Sequence, residues 1–477
     1  VDTKFDQTIE TAKSVISLSQ STATAEPIIE RVAELIQGRS NENAIVYLLS
    51  DFREKDWNSP DAILKSLKQI EAVGGAIELI SCAETEHKNL SIQRLSVAGN
   101  VRAAQTPLMM EVTVRNHSDS IARQVQVDIE SREYDSVDRR TRSESFVPEV
   151  KSLPTVFIDS IDAGQSVTQS FPVFFGKAGQ HAVPAHLSDD AVETDNQRFC
   201  DVPISTSANV LLVENPTTSE ASAGQIFSIL LNPGGTTGIE TTLVGERYLR
   251  DCTAEQLGQF DSVFLFDIQS LPEAAVSNLE SYVIAGGGVA FFAGPSVNLS
   301  FYNQSLFKNG DGLYPLPLGN VHQIDESLQR EIADIQPVDH PIFAPALSVK
   351  NSLLNLVQIQ TVIRPPLEWS SRPRKGTTKV LATVRGSQDT PLVVQKRFGA
   401  GRSVAVLTTA GPAWNNWLRN ATYLPIMLLL QNDLASGRHS THSRLVGDPI
   451  DYKRSSVEFQ TKATWHRELD GQRTIEP

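Results

Sequence analysis

Four side chains able to do chemistry stand where apolar strands end. Asp51 follows Ile45 to Leu49 and Ser50, Glu214 closes Asn209 to Val213, and Asp267 closes Ser262 to Phe266. Ser296 follows Val289 to Ala293 through Gly294-Pro295. The carboxyl ends of strands in an open α/β sheet are where ligands bind, so Glu214, Asp267, Gly294 and Ser296 are the candidates for a ligand crevice. A serine projecting from a tight turn can act as a nucleophile when a base lies within hydrogen-bond reach. His340, in Asp339-His340-Pro341-Ile342, is the candidate base, although a histidine before proline in a loop is more often a turn residue. Gly294 permits a tight turn, but Pro295 has no backbone N–H for an oxyanion hole. Trp414 and Trp417 flank Asn415-Asn416, a spacing that suits a binding surface for carbohydrate or peptide, or an aromatic pair closing a core edge.

The elements that would position these groups are legible as changes of period. Around Asp51, a buried strand over Ile45 to Leu49 precedes a helix opened by Ser59 as N-cap and Pro60 at its first position. Ile63, Leu64, Leu67, Ile70 and Val73 recur at helical spacing, Gly74-Gly75 stops the helix, and Ala76 to Ser81 supplies another strand. Upstream, Ile28, Ile29, Val32, Leu35 and Ile36 form the apolar stripe of one more helix. The first strand has five consecutive apolar residues, which predicts burial on both faces.

From Asn89 to Ser205 the period becomes two. LSIQRLSV, LMMEVTVRN, QVQVDIES, TVFIDSI, SVTQSFPVFF and QHAVPAHLS read as antiparallel strands of a β-sandwich separated by turns. The stretch Arg132 to Val150 reads as a mobile loop. Glu193 and Asp195 lie in a turn that is either solvated or calcium-binding. From Ala208, continuous apolar strands alternate with helices, which means a parallel, doubly wound sheet. TKVLATV, PLVVQKRF and RSVAVLTTA follow as an antiparallel extension, and Thr422 to Leu434 as a closing helix.

Composition excludes some classes. The chain has 477 residues, 40% hydrophobic and 21% charged, with net charge −14 and no Lys/Arg run, which argues against a nucleic-acid partner. No apolar run reaches the ~20 residues of a membrane helix. Cys82, Cys200 and Cys252 show no metal spacing and read as small core residues.

Three resemblances add to this. The stretch around AIVYLLSDFR resembles the closing half of a von Willebrand factor A domain. Such domains hold a divalent cation with an Asp-x-Ser-x-Ser loop, a threonine and a later aspartate. The resemblance places Asp51 at that aspartate and Thr22 or Thr24 at the threonine. The Asp-x-Ser-x-Ser loop does not occur before them, so the expectation is no cofactor, with magnesium possible only if that loop is supplied. LSDDAVETDNQRFCDVPI resembles the end of adhesion-type immunoglobulin-like modules. YVIAGGGVAFFAGP, DHPIF and QKRFGAGRSVAVLTTAGPAWNNW resemble non-catalytic relatives of the class I glutamine amidotransferase-like fold, in bacterial membrane-anchored proteins of the BatA type.

The implied architecture is multidomain α/β and β. Residues 1–86 form half a von Willebrand factor A-like domain and 87–206 an immunoglobulin-like sandwich. Residues 207–438 form a glutamine amidotransferase-like α/β domain, and 439–477 a linker and the start of a further β segment. The expected function is a non-enzymatic binding or scaffold region with a protein or surface partner. It would be extracytoplasmic and held to a membrane only through anchors outside this chain. The alternative is an amidotransferase-like or hydrolytic enzyme using the crevice.

Overall fold

The computed structural model describes residues 10, 24–37, 44–52, 56–82, 88–98, 101–134, 148–215, 222–235, 237–324, 333–347, 353–371, 378–385, 390–438, 465–469 and 472–476. The chain divides into two compact units, Val1–Glu86 with Arg444–Pro477, and His87–Ser443.

In the first unit, α1 (Ala25–Gln37), β1 (Ile45–Ser50), α2 (Pro60–Ala72) and β2 (Ala76–Ser81) follow in order. Strands β1 and β2 pair in parallel, from Ile45 opposite Ala76 to Ser50 opposite Ser81. Ile29 and Ala33 of α1 and Ile63 and Ile70 of α2 are buried, with Val46, Leu48 and Ile77 packed against them. The expected burial of β1 on both faces does not hold. Ile45, Tyr47 and Leu49 are 59%, 57% and 66% exposed, because the described helices cover one face and side chains alternate across a strand. For the same reason Ile28, Leu35 and Leu64 are exposed: a helix on a single layer buries only one stripe. Pro60 does start α2, but Ser59 makes no side-chain capping bond. Gly74, at φ +86°, turns the chain out of the helix. Cys82 is exposed rather than a core residue, whereas Cys200 and Cys252 are buried.

The second unit opens with eight strands: β3 (Leu90–Val97), β4 (Pro107–Asn116), β5 (Ala122–Glu133), β6 (Glu149–Ser152), β7 (Val156–Ile161), β8 (Ser166–Phe174), β9 (Gly179–Leu187) and β10 (Gln197–Ile204). They form two antiparallel sheets, ordered β3-β4-β8 and β10-β9-β5-β6, with β7 also on β5. Val112 and Val114 of β4 share one core with Val127 and Ile129 of β5 and Val183 and Ala185 of β9. That is the period-two pattern turned into a sandwich interior. Strand β5 extends to Glu133, and Arg132 and Glu133 pair with Val150 and Glu149 of β6. The two ends of the expected loop Arg132 to Val150 are therefore sheet, and 135–147 lie outside the described residues.

Continuing from the sandwich are β11 (Ala208–Glu214), α3 (Ala223–Leu231), β12 (Ile239–Gly245), β13 (Ser262–Phe266), α4 (Glu273–Ile284) and β14 (Gly288–Phe292). Then come β15 (Asn320–Gln323), β16 (Ile335–Pro337), β17 (Thr361–Arg364), β18 (Thr378–Val384), β19 (Pro391–Phe398), β20 (Gly401–Val406) and α5 (Tyr423–Ala435). Eight strands make one sheet in the order β12-β11-β13-β14-β20-β19-β18-β16, and β15 pairs with β17 separately. Strands β12, β11, β13, β14 and β20 are mutually parallel. The expectation that RSVAVLTTA belongs wholly to an antiparallel extension is corrected here. Strand β20 lies parallel to β14 on one side and antiparallel to β19 on the other. Apolar layers cover both faces of the sheet: Phe227, Phe264, Phe292, Ile426 and Leu430 on one, Leu265, Leu279, Val283, Phe291 and Tyr314 on the other. Near the end of the chain, β21 (Trp465–Leu469) and β22 (Gln472–Glu476) form an antiparallel hairpin.

Candidate ligand crevice

The strand order reverses direction at β11: the chain moves outward to β12, then returns to place β13 on the other side of β11. Glu214 ends β11 and Asp267 follows β13, so both carboxylates stand at this switch point, where loops diverge and a crevice forms. Gly294 and Ser296 follow β14, the next strand along. The fold thus brings Glu214, Asp267, Gly294 and Ser296 to one end of the central strands.

Their polar atoms are engaged within the fold. Glu214 Oε1 accepts from Ser222 Oγ–H, and Oε2 accepts from the Gly224 N–H at 2.8 Å. Ser222 Oγ in turn accepts from the Gln225 N–H at 3.0 Å, capping α3. The carboxylate therefore sits against the first turn of a helix, where free N–H groups and the helix dipole favour negative charge. Gly224 is needed for this approach, because a Cβ there would meet Leu243 and the Glu214 carboxylate.

Asp267 adopts φ +48°, a left-handed conformation that aspartate tolerates better than most residues. Its Oδ1 accepts from the Ser296 N–H at 2.8 Å and its Oδ2 from the Ser296 Oγ–H at 2.9 Å. Burial raises its pKa, opposed by the Ser296 hydrogen bonds and by the Val297 N–H. Gly294 makes the pairing possible, since a Cβ at that position would overlap the Asp267 carboxyl group.

His340 is elsewhere. Its Nδ1 accepts from the Ile342 N–H at 3.4 Å, capping the turn Pro341–Phe343. Burial lowers its pKa, and the charges acting on it are Asp433, Arg402, Lys379 and Asp339. Arg402 is paired with Asp433 and lies opposite Gly288, at the start of β14. Ser296 lies beyond the far end of that strand. Strand β16 runs opposite to β18 and β20, so the chain leaves it toward the end of the sheet at which β20 begins, and His340 follows there. The serine and histidine that the sequence offered as nucleophile and base stand at opposite ends of the sheet.

Trp417 is not part of a binding surface. It is 1% exposed, its Nε1–H donates to Thr422 Oγ1 at 3.3 Å, and its ring meets Tyr423 edge-on at 5.5 Å. Trp414 is half-buried against the second apolar layer, and its C=O accepts from the Gln360 and Thr361 N–H groups. Between them, the Asn415 amide donates to Thr409 O at 2.8 Å. The Trp-Asn-Asn-Trp run thus locks the loop after β20 to the segment before β17.

Of the metal candidates, Asp51 and Thr24 are both exposed, and Thr22 lies outside the described residues. Among the described residues no group of three His, Cys, Asp or Glu is placed to hold a metal ion. Asp195 Oδ2 accepts from the Asn89 amide at 3.2 Å, tying the Glu193–Asp195 turn to the start of β3. Among the described residues, no helix is long and apolar enough to cross a membrane.

Two polar groups went unread in the sequence. Lys396 is buried, and its Nζ donates to Gly310 O at 2.7 Å and also to Gly312 O. The signal was present, because Lys396 stands two residues after buried Val394 in the strand β19. Asp433, partly buried near the end of α5, accepts from Arg402 and from the Gln395 amide. Burial raises its pKa, opposed by Arg402, His340 and Gln395.

No family model and no curated protein matches the sequence. Among solved structures, a cytoplasmic protein from Salmonella typhimurium LT2 is similar at 15% identity and TM-score 0.35, covering 47% of this chain and 99% of that one. A second cytoplasmic protein from Salmonella typhimurium aligns at 12% identity and TM-score 0.34, over 47% and 98%. The CARDB domain of a Pyrococcus furiosus protein, in complex with di-metal ions, aligns at 15% identity and TM-score 0.19, over 26% and 93%. Likenesses at these scores carry no argument about this chain.

Proposed function

We propose that this chain is a non-enzymatic binding and scaffold region that presents the surfaces of its sandwich and its α/β sheet to a protein or surface partner. In this reading the sandwich is immunoglobulin-like and the eight-stranded domain is of the glutamine amidotransferase-like type without its chemistry. Residues 1–86 are then the closing half of a von Willebrand factor A-like domain. The resemblance to BatA-type proteins further implies an extracytoplasmic position, with membrane anchors outside this chain.

The observation that carries the reading is the employment of the crevice groups. Glu214 accepts two hydrogen bonds from the start of α3, and Asp267 accepts two from Ser296. A general base must have a lone pair aimed at a substrate proton, and a nucleophilic serine must give its proton to a group of suitable basicity. Here the serine donates to a carboxylate that serves as a turn anchor, and the imidazole is a strand length away.

The test is a panel of glutamine, simple amides and activated esters offered to the wild type and to Ser296→Ala. The expected result is turnover indistinguishable from buffer for both. Turnover by the wild type that disappears in Ser296→Ala would overturn the reading and assign the crevice a hydrolytic role.

A further inference from the structure

The segment between β9 and β10 folds over the start of β3 and leaves buried oxygen atoms without donors. Asp190 Oδ2 accepts from the Leu90 N–H at 2.7 Å, and its Oδ1 accepts from the Val192 N–H and the Asn196 amide, both at 3.0 Å. Asp195 Oδ2 accepts from the Asn89 amide at 3.2 Å. Each asparagine therefore uses its Nδ2 donor on a carboxylate, which fixes the orientation of its amide and leaves the carbonyl half over. Asn196 is 4% exposed, and among the described residues no donor reaches its Oδ1. The same holds for the buried Oδ1 of Asn89. Backbone bonds hold both residues in place. Asn196 O accepts from the Leu187 N–H at 2.8 Å, and Asn89 O from the His117 N–H at 2.9 Å. The Asn89 N–H donates to Ser118 Oγ at 3.1 Å.

A buried acceptor without a donor is costly, and native folds seldom leave one. Here two such oxygens belong to amides whose other ends touch Asp190 and Asp195. One water has two protons to offer this corner, whereas a cation attracts amide and carboxylate oxygens alike. Charge agrees with a cation. Residues 189–195 carry Asp189, Asp190, Glu193 and Asp195, opposed by Lys88 and Arg123. Those two cations line a neighbouring cavity of about 700 Å³ together with Asp189 and Asp190. The cavity also borders Leu90 and Ser118, so it gives an ion and its waters a way in. With two carboxylates and two amides, the set is consistent with the lack, among the described residues, of any group of three His, Cys, Asp or Glu placed for a metal.

We infer that Asn89 Oδ1 and Asn196 Oδ1, with the carboxylates of Asp190 and Asp195, form a calcium site that ties the β9–β10 connection to β3. Calcium takes about six to eight oxygens, amide carbonyls among them, in adaptable geometry, whereas magnesium demands a near-ideal octahedron. Waters from the cavity complete the shell. Two neutral amides and two carboxylates are a modest charge count, which places the affinity at about 0.1–1 mM.

The probes are calcium chloride and magnesium chloride, titrated by calorimetry into the intact chain in chelator-treated buffer, with unfolding midpoints measured alongside. Calcium is expected to bind in that range, and magnesium at least about ten-fold more weakly. Asp195→Asn keeps the side-chain shape and an oxygen for the Asn89 amide while removing charge. It should fold without calcium and weaken calcium at least about ten-fold. Asn196→Asp puts a third carboxylate in the corner. It should lower the unfolding midpoint in chelator, and calcium should restore it with an affinity about ten-fold tighter than that of the wild type. Asp189→Asn, outside the ligand set, should change the affinity by no more than about two-fold, a screened long-range effect. If Asp195→Asn does not fold, the calcium dependence of Asn196→Asp still decides. Absence of binding at about 10 mM calcium, well above the range for such sites, overturns the proposal and leaves the corner to water. Equal binding of magnesium overturns it too, as does calcium binding that neither Asp195→Asn nor Asn196→Asp moves.

Discussion

Ser296 grips Asp267 twice across 29 residues of sequence, through its N–H to Oδ1 at 2.8 Å and its Oγ–H to Oδ2 at 2.9 Å. The pair ties the turn after β14 to the end of β13, so the edge of the sheet is held by polar bonds above its apolar layers. Ser296→Ala should destabilise the second unit by about 1–2 kcal/mol, because a partly buried carboxylate oxygen loses its hydroxyl donor. Denaturant titration measures this. A change smaller than the error would mean that water replaces the hydroxyl without cost.

The same pair predicts a pH effect. Burial raises the folded-state pKa of Asp267 above its unfolded value. Its contribution to stability is therefore fully present below the unfolded pKa, near 3.8, and is lost as pH rises through the folded value. Asp267→Asn removes that titration. The stability of the variant relative to wild type should increase from pH 3.5 upward through this window, a range set by the ordinary carboxylate pKa of about 3.9. Denaturation midpoints at a series of pH values read it directly, and a constant difference would refute it.

Trp417 separates a structural from a surface role. With its indole enclosed and bonded to Thr422, Trp417→Ala should cost about 3–5 kcal/mol. Half-buried Trp414 should cost less on the same substitution. A Trp417→Ala protein of unchanged midpoint that has lost a ligand would restore the binding surface suggested by the sequence.

That contrast shows where sequence legibility ends. The period-two and continuous apolar patterns located the strands of both folds, and β11 and β13 do lie side by side in parallel. What a local pattern cannot carry is which neighbour a strand takes. RSVAVL reads as a strand whether it extends a hairpin or, as here, enters the parallel set beside β14. Likewise a run of five apolar residues made β1 look covered twice, because exposure of Ile45, Tyr47 and Leu49 depends on layers that their own sequence does not encode. At the crevice, strand-end positions for Glu214, Asp267 and Ser296 followed from the pattern. The Asp267–Ser296 bond did not, nor did the removal of His340 to the opposite end, since both depend on strand order.

The metal expectation can be tested on the first unit. Asp51 follows β1 as an exposed carboxylate, and a hard cation such as magnesium requires near-octahedral oxygen coordination, with waters filling only part of the shell. One exposed strand-end carboxylate supplies too little of that shell for tight binding. Magnesium or manganese should accordingly bind no more tightly than ~1 mM, by the oxygen count such ions require. Asp51→Ala should leave the calorimetric trace unchanged. Micromolar binding lost in Asp51→Ala would show that further ligands are gathered around this carboxylate. Thr24→Ala would then tell whether the hydroxyl before α1 is among them.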